Sequence, residues 1–133
     1  MKLSTILLRI AGAICLLFMV FHIFFHKMFD WPNSLSCLDV NNRAILLTYH
    51  YLCILIIGFM SFVGLFQAKT LLKTTMKYSV LGTFSIFYFI RIVTEFTQFG
   101  YNNNSPVIFI MCLVPIVCFG LPIFINTQEN EKS

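Results

Sequence analysis

Residues 44–68 read AILLTYHYLCILIIGFMSFVGLFQA, an apolar run with no charged side chain. A helix rises about 1.5 Å per residue, so about 20 mostly apolar residues span the hydrocarbon core of a bilayer. This stretch is long enough, and its hydrophobicity is continuous. Barrel strands would alternate in short segments, so the run reads as a helix. Three further segments qualify: residues 3–27, 75–98 and 106–125. The expected fold is all-α: one transmembrane domain over residues 1–133, built as a four-helix bundle.

Composition agrees with that reading. The chain is 59% hydrophobic and 11% charged, with a mean hydropathy of +0.86. Soluble domains carry about 25% charged residues, so there is too little polar surface here to coat a water-facing globule. Sixteen Phe beside a single Trp point to lipid-facing helices. The net charge of +4 does not imply nucleic acid, because the basic residues sit at segment ends and form no stripe. The expected partner is the lipid bilayer, with other membrane subunits or a second copy of the chain as further candidates. The first apolar run imitates a secretory signal, but it outlasts the ~7–15 residues of a signal core. An uncleaved first helix is expected.

The connections carry turn residues. Asp30-Trp31-Pro32-Asn33-Ser34 opens the longest, residues 69–73 form a short basic turn, and residues 100–105 form a neutral one. Pro106 suits the first turn of the last helix, and residues 126–133 are expected to fray. Lys and Arg near segment ends set orientation. Lys2, Arg9, Lys69, Lys73, Lys77 and Lys132 gather on one side, and only Lys27 and Arg43 on the other. Both termini are therefore expected in the cytoplasm. Phe29, Trp31 and Tyr101 would form an aromatic belt at the outer interface.

Depth along the spans locates the polar groups. His22 and His26 fall near the outer end of the first helix, His50 two turns into the second, and Arg91 and Glu95 in the last turns of the third. His22, His50 and Arg91 then lie at matched depth, roughly 8–10 Å below the outer interface. Tyr49, Tyr51, Tyr88, Thr94 and Gln98 surround them in sequence. At 100° per residue, three faces should converge. They are Ala11, Cys15, Met19, His22 and His26; His50, Cys53, Ile57, Ser61 and Gly64; and Phe84, Tyr88, Arg91, Glu95 and Gln98. Ionisable groups within spans face the bundle interior or a wet cavity. The fourth helix, with Cys112, Pro115, Cys118 and Pro122 but no charge, is expected to close the bundle and kink at a proline.

Each polar feature carries a structural reading beside a functional one. Arg91 and Glu95, four apart on one helix, can pair and so lower the cost of insertion; the functional reading is an anion- or proton-handling arginine positioned by its glutamate. His22 and His26 share a helical face. With His50 and Glu95 they could complete a transition-metal site, and His22 or His26 with His50 could ligate haem. Polar groups bonded to neighbouring helices or to a lipid head group are the simpler account. The five Cys form no C-x-x-C pair, and only Cys37 is expected outside. No nucleotide loop, Ser-His-Asp arrangement or paired-carboxylate site is visible, and no catalytic residue is assigned.

Leu8-Arg9-Ile10-Ala11-Gly12, followed by three more spans, broadly resembles the DoxX-like four-helix membrane proteins. The stretch from His22-Ile-Phe-Phe-His26 to Trp31, followed by Asn42-Arg43-Ala44-Ile45, is more similar to a group of small bacterial membrane proteins without agreed chemistry. That resemblance implies a bacterial inner-membrane setting and carries no catalytic residue over. The expected function is an accessory or ligand-binding membrane protein, with His22, His26, His50, Tyr88, Arg91 and Glu95 as candidate ligand-binding residues. The alternative is a haem-, metal- or proton-handling subunit of a membrane oxidoreductase or transporter.

Overall fold

Helix α1 (Lys2–Ile23) stops where Phe24 donates its N–H to the Phe21 carbonyl, tightening the last turn. The computed structural model describes the backbone of residues 2–130 and the side chains of residues 2–125. A four-residue helix α2 (Phe25–Met28) follows the break. Asp30 then takes a left-handed conformation with φ 46° and turns the chain into α3 (Trp31–Ser34), which has Pro32 in its first turn. The expected loop at Trp31 is thus a short helix folded back on the bundle.

Helix α4 (Val40–Phe62) begins four residues earlier than the apolar run, because Asp39 caps it. The Asp39 carboxylate accepts the backbone N–H groups of Asn41 and Asn42 at 2.9 and 3.0 Å, satisfying donors that the first helical turn otherwise leaves open. Those bonds hold the carboxyl below its ordinary pKa of 3.8, the Asn42 N–H first among the causes. The helix runs on through a π-helical turn (Val63–Gln67) into α5 (Ala68–Leu71). Helix α6 (Lys77–Thr94) likewise widens into a π-helical turn (Glu95–Phe99), which Gly100 ends at φ 69°. Helix α7 (Ser105–Asn130) is unbroken through Pro115 and Pro122, as transmembrane helices permit when neighbours supply the freed carbonyl with a partner. Residues 131–133, part of the tail expected to fray, lie outside the described residues.

Four segments are long and apolar enough to cross a membrane: Lys2–Ile23, Val40–Leu71, Lys77–Phe99 and Ser105–Ile125. Their side-chain distribution is that of a protein solvated by lipid. Leu17, Leu55, Phe66 and Phe124 stand outward, each more than two-thirds exposed, while the small core contains Leu8, Ala11, Cys15, Met60 and Phe119.

Helix α1 is the centre of the bundle, packing against both α4 and α7, and α7 packs against α6. The closest crossing is glycine on glycine. A Cβ on Gly64 would stand 2.6 Å from the Leu8 carbonyl oxygen and 2.8 Å from Gly12 Cα. Only bare backbone fits such an approach, a common device where helices pack in lipid. Helices α4 and α6 make no comparable backbone approach. Near the Lys73 end their side chains meet at Phe59 and Phe84, rings 6.0 Å apart. Towards the Trp31 end residues of both helices line a cavity, and that cavity defines the site.

Candidate functional site

A cavity of about 750 Å³ occupies the Trp31 end of the bundle. All four long segments contribute to its wall: Phe18 and His22 from α1, Cys53 and Ile57 from α4, Tyr88 and Arg91 from α6, Ile108 and Cys112 from α7. Phe25, Trp31, Phe99 and Asn102 close the end. The lining is mostly aromatic and aliphatic, with few polar groups, as in small-molecule pockets of about 300–1,000 Å³.

The polar groups concentrate on Arg91 and Glu95. Arg91 Nη2 lies 2.9 Å from Glu95 Oε2; the arginine side chain is 37% exposed and the glutamate 3%. The other carboxylate oxygen, Oε1, accepts a hydrogen bond from Ser105 Oγ at 3.0 Å. Ser105 Oγ in turn accepts the Asn102 N–H at 3.0 Å, so the start of α7 and the neutral turn are tied to the end of α6. The Arg91 guanidinium sits 5.1 Å from the centre of the Phe99 ring, within cation–π range. The Arg91–Glu95 contact is a close ion pair without hydrogen-bond alignment. Among the described residues, buried Arg91 Nη1 and Glu95 Oε2 have no hydrogen-bond partner.

A second polar group forms beside the cavity. His22 Nδ1 donates to the Phe18 carbonyl at 2.7 Å, and His50 Nε2 donates to the His22 carbonyl at 3.1 Å. The two imidazoles are 6.2 Å apart. Phe25 stacks on His22 at 4.4 Å, and Trp31 meets His50 edge to face at 4.6 Å. At the cavity floor, Cys15 Sγ and Tyr88 Oη share a hydrogen bond at 3.2 Å.

Of the six candidates, His22, Tyr88, Arg91 and Glu95 line the cavity. His50 converges on His22 but stands behind the cavity wall, against Trp31. His26 departs from the expected face. The reading at 100° per residue assumed one helix through residue 27, whereas α1 ends at Ile23 and His26 belongs to α2. It is exposed and packs on Trp31 at 6.2 Å. The four-ligand set of His22, His26, His50 and Glu95 therefore does not assemble, and no three His, Cys, Asp or Glu among the described residues group as metal ligands. Gln98 is also exposed, while Phe99 lines the cavity. The π-helical turn bonds i to i+5 and shifts the angular position of every residue after Glu95. Tyr49 and Tyr51 stand outward, and Thr94 donates back to its own helix at the Arg91 carbonyl.

Sequence reasoning missed Ser105, Trp31, Phe99 and the cavity-facing asparagines. Ser105 before Pro106 is a helix-start signature, but its bond to Glu95 exists only once the turn folds. No family model, curated protein or solved structure matches the chain.

Proposed function

We propose that this chain is a multi-pass protein of a bacterial inner membrane that binds an amphiphilic ligand, holding its polar head at Arg91 and Glu95. In this reading both termini are cytoplasmic and the cavity belongs to the outer leaflet. The observation that carries the proposal is a largely apolar cavity with an ion pair in its wall, beside helices α4 and α6, which make no close backbone approach. A freely soluble polar ligand would find too few partners there. An apolar chain would gain burial, and its head would meet the charges.

Trp31, the sole tryptophan, lines the cavity and serves as the reporter. A brominated amphiphile titrated into detergent-purified protein should quench its emission saturably. Filling the cavity by Cys53→Phe should weaken that quenching. Linear quenching unaffected by Cys53→Phe would overturn the reading. Stoichiometric metal or a haem absorption band in the purified protein would instead favour a redox subunit. For topology, a variant keeping only Cys37, which is exposed, should react with a membrane-impermeant thiol reagent in intact cells; reaction only after lysis would reverse the orientation.

A further inference from the structure

Two buried polar atoms at the cavity edge specify more than an amphiphile. Arg91 Nη1 is a cationic N–H donor without an acceptor, and Glu95 Oε2, though 2.9 Å from Arg91 Nη2 in the ion pair, has no aligned donor. Both belong to residues that line the cavity, and Glu95 is 2% exposed. Leaving hydrogen-bonding capacity unused in a low-dielectric site is costly, and the cost is relieved by a ligand that gives Nη1 an acceptor and Oε2 an aligned donor beside its ion pair.

From this we propose that the cavity recognises a zwitterionic phospholipid head of the phosphoethanolamine type, with a phosphate oxygen on Arg91 and the primary ammonium on Glu95. The inference rests on the amphiphile reading above and names the head. Three arguments select it. Phosphate oxygens are strong acceptors for a guanidinium. The ammonium offers N–H donors to a carboxylate whose Oε1 is already occupied by Ser105. The Arg91–Glu95 pair is net neutral, so a net-neutral head leaves no uncompensated charge in the bilayer, whereas an anionic head such as phosphoglycerol leaves one. A phosphocholine head carries the same charges but has no N–H to give Glu95. Because α4 and α6 make no close backbone approach beside the cavity, the acyl chains can pass between them into the bilayer while the head occupies the cavity.

The test is native mass spectrometry of the full chain released from nanodiscs holding equal amounts of phosphatidylethanolamine, phosphatidylcholine and phosphatidylglycerol with matched chains. The expected result is one retained lipid, phosphatidylethanolamine favoured about tenfold over the other two, the size of one charge-assisted hydrogen bond. Glu95→Gln should erase the preference over phosphatidylcholine, and Arg91→Gln should reduce retention of every phospholipid. One lipid retained in proportion to the nanodisc composition would overturn the head-group inference and leave the amphiphile reading standing. No retained lipid would overturn both. Free phosphoethanolamine displacing the lipid at comparable concentration would overturn a lipid source in favour of a soluble one. The wild-type ratios decide the question if either variant fails to fold.

Discussion

The two halves of this bundle solve the same packing problem in opposite ways. Near the Lys73 end, α1 and the π-helical turn after α4 approach until Gly12 and Gly64 touch backbone to backbone, and Leu8, Met60 and Leu81 fill the remaining space. Near the Trp31 end larger side chains from several elements surround the cavity: a stack of His22, Phe25, His50 and Trp31 on one side, and Arg91 with Glu95 on the other. Small residues bring helices together through dispersion contacts. At the Trp31 end α1 and α4 stay joined through His50 and the His22 carbonyl, and the cavity lies among all four long segments. The bundle thus has a close-packed half and a half built around a cavity.

The largest expected effect breaks the cavity half at its charge pair. Glu95→Ala leaves the arginine without its carboxylate and should cost about 3 kcal/mol, the low end for a broken buried pair, because Arg91 is 37% exposed. Replacing both residues with apolar ones should recover much of that. Thermal melts in detergent measure it, and strictly additive losses would show that the pair does not couple.

In the close-packed half, Gly64→Ala drives a Cβ into backbone 2.6 Å away. A loss of about 2 kcal/mol is expected, the middle of the range for overpacking. Gly82 sharpens the contrast. No atom lies within 4 Å of a Cβ built there, so Gly82→Ala should be neutral or slightly stabilising. Equal melting shifts for the two variants would remove the glycine contact as the reason the halves differ.

Tyr88 stands where the halves meet, and Tyr88→Phe keeps its ring while removing the bond to Cys15. A loss of about 1 kcal/mol is expected, with ligand-induced quenching of Trp31 preserved. Abolished quenching would place the hydroxyl among the ligand contacts.

The smallest effect lies outside both halves, at the Asp39 cap. Its carboxyl titrates below 3.8 in the folded protein, so its contribution is complete above the ordinary carboxylate range. It is lost only as pH falls through the lowered value. Asp39→Ala should therefore lower the melting temperature slightly at neutral pH, and the gap from wild type should shrink in strong acid. A gap that widens on acidification would contradict the capping role.

The arrangement of apolar runs carried the four helices, because a bilayer admits few alternatives to a continuous hydrophobic helix. It carried the placement of His22, Tyr88, Arg91 and Glu95 as well: depth follows from a fixed rise per residue, and burial follows from the cost of charge in lipid. The angular reading failed where the backbone departed from the regular helix. The break at Phe24 moved His26 outward, and the π-helical turn after Thr94 exchanged Gln98 for Phe99. Such irregularities are decided by contacts between helices, and local propensity does not record them. The Ser105 bond to Glu95, the retreat of His50 behind Trp31 and the cavity itself needed the folded chain. Periodicity tells a side chain which way its own helix faces, and only packing decides what stands opposite.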